Sequence, residues 1–202
     1  IADKSTINNL KSKFDVKKSL IINLDLVKKN NIKKFVKLTT KKFKKIDILI
    51  NCAGLQHVAP ICKFSDKIWD YIININLTTP FKMIKEVLPI MRNNRWGRII
   101  NISSVHGTIA SQFKSGYVSS KHGLVGLTKV VALETAKENI TCNAIAPGFV
   151  DTDLVKKQIM DISKKKKISF KKVSDSLLRE KHPSMNFVKK DDVSSLAYYL
   201  TT

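Results

Sequence analysis

Short apolar stretches alternate with longer amphipathic stretches along this chain, and this alternation limits the possible folds more than any other feature. Four short stretches predict strands, at 19–26, 46–51, 97–104 and 140–146. Helical patterns follow them, including one that starts after Ser65 and one over 117–137. Strands that alternate with helices of this length form a parallel sheet with helices on both faces. We therefore expect an α/β fold with a doubly wound parallel sheet.

The size and composition of the chain predict one globular domain over 1–202. The chain has 202 residues, 43% of them hydrophobic, which is enough for a single core. No apolar run reaches the length of a membrane span. The three cysteines show no metal-ligand spacing, so we expect reduced thiols and no metal site. These features together predict a cytoplasmic protein without membrane association.

The formal net charge of +21 raises the question of nucleic-acid binding. Only four of the 37 basic residues are Arg, the residue preferred for bidentate phosphate and base contacts. The lysines are scattered along the chain, and no RNA-binding aromatic pattern accompanies them. The pattern favours a solvated basic surface, with a nucleic-acid-binding protein as the alternative.

Turn-forming or polar residues follow each predicted strand, where ligands bind in parallel sheets. These stretches are 23–25, 51–57, 103–107 and 147–153. In the second stretch, Ala53 and Gly54 carry little or no side chain, so a ligand can approach the backbone. A tight turn without a ligand explains the same two residues equally well.

Tyr117 and Lys121 are four residues apart on a predicted helix, and this spacing places them on one face. In a lysine-rich chain, such a pair often arises by chance. Ser104 ends the third predicted strand, thirteen residues before Tyr117, and brings a hydroxyl toward the same crevice. The three residues together predict an acid–base site better than any one of them.

Several motifs, taken with their joint spacing, resemble the short-chain dehydrogenase/reductase family over most of the chain. They are "NCAG", "NINL", "GRIINISS", "YVSSK" and "PGFVDT". The stretches "GLQHVAP" and "SSVHG" are similar to bacterial D-3-hydroxybutyrate dehydrogenases within that family. The resemblance implies a Rossmann-type sheet, NAD as cofactor, and interconversion of D-3-hydroxybutyrate and acetoacetate by hydride transfer.

The resemblance also implies a role for each matching residue. Tyr117 would be the general base, and Lys121 would lower its pKa and hold the nicotinamide ribose. Ser104 would hydrogen-bond the reacting oxygen, and Asn76 would hold a water in the proton relay. The substrate carboxylate would be bound by Gln56, His106, Lys114 and Gln158. The cofactor would contact Asp25, Asn51, Ala53, Gly54, Tyr117, Lys121, Pro147, Gly148, Val150 and Thr152.

Compared with the family fold, the chain is expected to lack the first two strands, the glycine-rich phosphate loop and the last strand. Residues 1–14 resemble the helix after the second strand. Strands pair about 4.8 Å apart, so the strands at 19–26 and 46–51 would then be separated by roughly 14 Å. We therefore expect either poor solubility or a new pairing between those two strands.

The remaining implications concern the substrate lid, the assembly and two alternative functions. The resemblance implies a lid over 151–189 and a homotetramer built through the long helices, including 117–137. One alternative is a 3-oxoacyl carrier-protein reductase, against which the four substrate-binding residues argue. The other is an inactive remnant that cannot hold a dinucleotide. The choice between NAD and NADP is not decided by the residues present.

Overall fold

A computed structural model describes residues 2–3, 14–15, 17–181 and 184–202 of the chain. The strands are β1 (Ala2–Asp3), β2 (Ile22–Asn23), β3 (Ile48–Asn51), β4 (Gly97–Ile102) and β5 (Ile140–Ile145). The first four helices are α1 (Asn31–Phe43), α2 (Asp66–Ile73), α3 (Thr79–Asn93) and α4 (Ser115–Glu134). The last three are α5 (Asp153–Lys166), α6 (Phe170–Lys181) and α7 (Lys190–Tyr199). Strands and helices therefore alternate as predicted.

The described strands form two parallel groups. In the larger group β4 lies between β3 and β5, and β3 pairs with β4 in register from Ile48↔Arg98 to Asn51↔Asn101. In the smaller group Ala2 pairs with Ile22 and Asp3 with Asn23, again in parallel. The predicted α/β fold with a partial, Rossmann-like parallel sheet is confirmed.

The beginning of the chain differs from the expectation at two points. Ala2–Asp3 form a strand where a helix was predicted, and residues 4–13 of that predicted helix lie outside the described residues. The predicted pairing between the strands at 19–26 and 46–51 is also wrong, because β2 pairs with β1. The short strand β1 supplies the backbone partner that β2 would otherwise have to find in β3.

The chain divides into two compact units, the first up to Ala144 and the second from Ile145 to Thr202. The second unit contains α5, α6 and α7. Within it, Val188 donates a backbone hydrogen bond to the carbonyl of Phe149 at 2.8 Å, and Asp151 donates one to the carbonyl of Val188 at 3.0 Å. The single domain and the lid over 151–189 stay predictions.

The core of the first unit forms where α1, α3 and α4 pack against the sheet. Side chains on β3, β4 and β5 meet those of the helices in one cluster. Its buried members are Ile32, Val36, Leu49, Met83, Ile84, Val87, Leu88, Met91, Ile99, Val131, Ile140 and Cys142. Burial of this apolar area is the main favourable term for the unit. None of the helices in the described part is long and apolar enough to cross a bilayer.

Two hydrogen-bonded amide side chains connect the carboxyl end of the sheet to α4. Asn51 at the end of β3 donates its amide to the Asn101 side chain on β4, at 2.8 Å. Asn101, which is fully buried, donates in turn to the hydroxyl of Thr128 on α4 at 2.9 Å. Because buried polar groups require partners, these two hydrogen bonds hold α4 against the strand ends. They therefore position the residues at the start of α4.

Candidate active site

The candidate site lies where the end of β4 meets the first turns of α4. Ser104 follows β4 and precedes a short 3-10 helix, Val105–Gly107, and its hydroxyl accepts a hydrogen bond from the backbone N–H of His106 at 3.2 Å. A Cβ on Gly107 would lie 2.8 Å from both Ser103 Oγ and Val125 Cγ2. Glycine at this turn lets α4 pack directly on the segment that carries Ser104.

Ser104, His106 and Tyr117 lie together at this point. The Oγ of Ser104 is 3.3 Å from Nδ1 of His106, and the Ser104 hydroxyl acts to lower the pKa of Tyr117. The rings of His106 and Tyr117 meet edge to face with centroids 5.9 Å apart. Ser104 and His106 are both buried. The arrangement brings a phenol, a hydroxyl and an imidazole to one shielded point.

Burial raises the pKa of Tyr117 above its usual value, and the hydrogen bond from Ser104 opposes this effect. Desolvation is the main cause, because burial disfavours the charged phenolate. The expected lowering of this pKa by Lys121 stays a prediction. A phenol with a raised pKa is a proton donor at neutral pH.

Lys121 lies on the same side of α4 as Tyr117 and is also buried. Its Nζ is 5.7 Å from the centroid of the Tyr117 ring and donates to the carbonyl of Ile102 at 2.7 Å. Burial lowers the pKa of Lys121 to about 8, and the nearby Cys52 acts in the opposite direction. The ammonium is thus anchored to the end of β4, one helical turn beyond the phenol.

Asn76 lies in a π-helical turn, Asn74–Thr78, between α2 and α3. Its Nδ2 donates to the carbonyl of Leu55 and to the hydroxyl of Ser120, each at 3.0 Å. Its Oδ1 accepts from the backbone N–H of Leu55 at 3.0 Å. Both amide protons are used by the protein, so the predicted water in a proton relay would have to be held through other atoms.

At Ala53 and Gly54, the loop 51–57 presents backbone without bulky side chains, and Gly54 lies next to Lys121. Ala53 and Gly54 are exposed, and a Cβ on Gly54 would lie 3.2 Å from Asn76 Oδ1 and 3.8 Å from Lys121 Nζ. A flat group could pass close to this backbone. The glycine and the neighbouring ammonium fit the nicotinamide ribose end of a dinucleotide.

The four residues predicted to bind substrate fall into two groups. His106 and Lys114 are both buried. The ring of His106 lies against that of Tyr117, Lys114 directly precedes α4, and Gln56 is half-buried in the loop 51–57. Gln158 is half-buried on α5 of the second unit. A buried ammonium and a buried imidazole are groups that bind small anions through charge-assisted or neutral hydrogen bonds, and the imidazole of His106 is next to Ser104.

The remaining predicted cofactor residues lie elsewhere in the chain. Asp25 follows β2, and its carboxylate accepts from the backbone N–H of Val27 at 3.1 Å. In the second unit Thr152 caps α5, where its hydroxyl accepts from the N–H of Val155 at 3.4 Å. Pro147, Gly148 and Val150 precede it and are half-buried. Their contact with a cofactor stays a prediction.

Sequence reasoning missed Ser120, which joins Asn76 to α4. The signal was present, because 120, 124, 128 and 131 follow the helical period of the buried face of α4. A serine on that face needs a hydrogen-bond partner. Over the described ranges, no group of three or more His, Cys, Asp or Glu residues could hold a metal ion.

Comparison with known proteins defines the family. The family model described as short chain dehydrogenase matches residues 2–162. The chain is 46% identical over 178 residues to a D-beta-hydroxybutyrate dehydrogenase of Cupriavidus necator, covering 88% of this chain and 69% of that protein. A D-beta-hydroxybutyrate dehydrogenase of Rhizobium meliloti is 43% identical, with 87% and 68% covered. The chain therefore belongs to the short-chain dehydrogenase family of oxidoreductases.

Other relatives and solved structures show the breadth of this family. A 3-oxoacyl-(acyl-carrier-protein) reductase of Thermotoga maritima is 37% identical, over 66% of this chain and 54% of that protein. An actinorhodin polyketide ketoreductase solved with NADPH has a TM-score of 0.85 at 29% identity, with 90% and 70% covered. A 4-hydroxyisoleucine dehydrogenase solved with NADH has a TM-score of 0.72 at 30% identity, with 90% and 72% covered. Both nicotinamide dinucleotides thus occur among the structural neighbours.

Proposed function

We propose that this protein interconverts D-3-hydroxybutyrate and acetoacetate, with NAD as the hydride acceptor in oxidation and NADH as the hydride donor in reduction. The observation that carries the proposal is the cluster at the start of α4. The Tyr117 ring lies 5.9 Å from the ring of His106 and 5.7 Å from the Lys121 ammonium, and Ser104 Oγ is 3.3 Å from His106 Nδ1. The two relatives named D-beta-hydroxybutyrate dehydrogenase support the choice of substrate.

The proposed mechanism assigns proton transfer to the protein. In oxidation, Tyr117 as phenolate takes the proton of the substrate hydroxyl, while Ser104 hydrogen-bonds the same oxygen. The dinucleotide, when bound, accepts the hydride that leaves the carbinol carbon. In reduction the Tyr117 phenol returns the proton to the carbonyl oxygen. Because burial raises the pKa of Tyr117, we expect oxidation to become faster as the pH increases.

The buried cation Lys114 supports a carboxylate substrate over a larger thioester. Lys114 is 5% exposed and directly precedes α4, and His106 is 6% exposed beside Tyr117. A carboxylate that binds next to a buried ammonium gains a charge-assisted hydrogen bond. A reductase of the 3-oxoacyl thioester type, supported by the Thermotoga maritima relative, is the second candidate.

The test measures formation of the reduced dinucleotide from D-3-hydroxybutyrate, with NAD and NADP supplied in separate assays. A 3-hydroxyacyl thioester is the competing substrate. Tyr117→Phe should reduce kcat by about 10²- to 10⁴-fold, the usual contribution of a general acid–base. Tyr198→Phe, at a side chain on α7 that is 73% exposed, serves as the matched control and should be unchanged. Turnover of the thioester alone would establish the second candidate. An absence of dinucleotide binding would support the inactive remnant.

The homotetramer remains a proposal, supported by apolar side chains exposed on the long helices. Val130 and Leu133 on α4 are 51% and 78% exposed, and Phe81 on α3 is 47% exposed. Exposed apolar patches commonly mark contacts with other chains. Light scattering of Leu133→Lys against the unaltered protein tests this assembly, with dissociation as the expected result. Cytoplasmic location and the lack of nucleic-acid binding likewise stay predictions.

A further inference from the structure

Ser120 directly precedes Lys121 on α4, and its side chain is 0% exposed. Its hydroxyl donates to the backbone carbonyl of Tyr117 at 2.8 Å and accepts from Nδ2 of Asn76 at 3.0 Å. A hydroxyl has one proton to donate, so these two bonds define its orientation. Ser120 therefore links the helix that carries Tyr117 to a side chain on the neighbouring π-helical turn.

Asn76 extends this link to the loop 51–57. Its amide makes two opposite hydrogen bonds with the backbone of Leu55, one to the carbonyl and one from the N–H, both at 3.0 Å. Rotating the amide by half a turn would place its NH₂ against the Leu55 N–H and break both bonds. Ser120 accepts the second Nδ2 proton, which favours the orientation in which both loop bonds form.

The loop held in this way lies against the candidate catalytic residues. A Cβ on Gly54 would be 3.2 Å from Asn76 Oδ1 and 3.8 Å from Lys121 Nζ, so the separation between loop and ammonium is already small. A displacement of the loop would change the space in which a dinucleotide must lie beside Lys121. The Ser120 hydroxyl thus affects the space beside Lys121 indirectly, because it orients the Asn76 amide that holds the loop.

We propose that Ser120 is a positioning residue that holds the loop 51–57 in register with Tyr117 and Lys121. It does so by orienting the Asn76 amide, and it controls the affinity for a nicotinamide dinucleotide without touching that molecule. The part of this inference that concerns dinucleotide affinity rests on the proposed function. The part that concerns the loop is independent of it.

The first experiment compares Ser120→Ala with Ser119→Ala, an exposed serine in the preceding position of the same helix. The readout is hydrogen exchange of the Leu55 amide, which donates to Asn76 Oδ1. Ser120→Ala should increase the exchange rate by about tenfold, because the Asn76 amide loses one of its three bonds. Ser119→Ala should leave it unchanged. Unchanged exchange in Ser120→Ala would overturn the proposal, whether or not the protein turns over any substrate.

The second experiment separates positioning from general destabilisation. In Ser120→Ala the KM for the dinucleotide should rise about five- to tenfold, with kcat changed less than about twofold and the pH profile unmoved. A purely structural role would reduce the active fraction and lower kcat at constant KM, and this result would contradict the proposal. If Ser120→Ala does not fold, as judged by circular dichroism, Ser120→Cys replaces it, since a thiol has similar shape and weak hydrogen bonds.

Discussion

Lysine has two different environments in this molecule, and the contrast explains where the chemistry lies. On α1, Lys33 exposes 72% of its side chain, and its ammonium is 4.0 Å from Glu86. At the start of α4, Lys114 and Lys121 are each only 5% exposed. Among the lysines whose side chains the structure describes, these two are the buried ones, and the others are exposed.

The difference shows that the net charge of the chain is a poor indicator of function. A single buried charge is a better indicator of a functional site. An exposed ammonium is hydrated and screened by salt, so its interactions are weak. A buried ammonium must be compensated, and its pKa shifts when compensation is incomplete. The formal net charge of +21 comes mainly from exposed lysines. The candidate site contains the two buried lysines.

The largest expected effect concerns Lys121 and the pH dependence of stability. Its pKa is about 8 in the folded protein, against 10.5 for an ordinary lysine. Between these values the unfolded chain binds more protons, so the free energy of unfolding increases with pH across this window. Relative to Lys121→Met, the unaltered protein should gain about 2 to 3 kcal/mol between pH 7 and pH 10. Urea unfolding at several pH values measures this gain.

The control for this experiment is Lys129→Met, an exposed lysine on the same helix. Stability differences between this variant and the unaltered protein should not depend on pH in the same window. If the stability difference between Lys121→Met and the unaltered protein were also independent of pH, the Lys121 ammonium would be solvated. The inferred difference between buried and exposed lysines would then be wrong.

A second prediction tests whether the buried charge of Lys114 serves the substrate. Lys114→Met should raise the KM for 3-hydroxybutyrate about tenfold to a hundredfold, with a smaller change in kcat, because a charge-assisted hydrogen bond to a carboxylate is lost. Steady-state kinetics measure both constants, and Lys129→Met again provides the exposed control. An unchanged KM would remove Lys114 from the proposed substrate site.

The smallest expected effect is that of an exposed lysine. Lys33→Met removes the ion pair with Glu86 and should change the free energy of unfolding by less than about 0.5 kcal/mol. The change should disappear when the salt concentration is raised, since the pair is screened. Thermal unfolding at low and high salt measures it. A loss comparable to that of a buried lysine would show that the surface charge contributes more than we infer.

Much of the site could be predicted from the sequence because its residues are fixed by local rules. Tyr117 and Lys121 share a helical face at their spacing of four, and Ser104 ends a strand whose apolar pattern is clear. Parallel strands bring their carboxyl ends to one edge, so the stretches after β3 and β4 were expected to meet. Asn76 was assigned from its motif, and its position beside the loop 51–57 agrees with a place in the site.

Other features could not be predicted, because they depend on distances between elements far apart in the chain. The link from Ser120 to Asn76 spans 44 residues, and nothing local to either residue reveals it. The raised pKa of Tyr117 follows from burial by surrounding segments, which the motif does not encode. The strand at Ala2–Asp3 depends on a partner twenty residues later, and two residues are too few for a recognisable pattern.

The sequence by itself determined the parallel α/β fold, the family and the residue types of the site, since periodicity and motif spacing are properties of the chain alone. The tertiary structure decided the environment of those residues. It buried two of the lysines whose side chains are described, used both amide protons of Asn76 and raised the pKa of Tyr117. Solvent exclusion and hydrogen-bond satisfaction arise only when separate elements pack together, and for that reason they set the chemistry of the site.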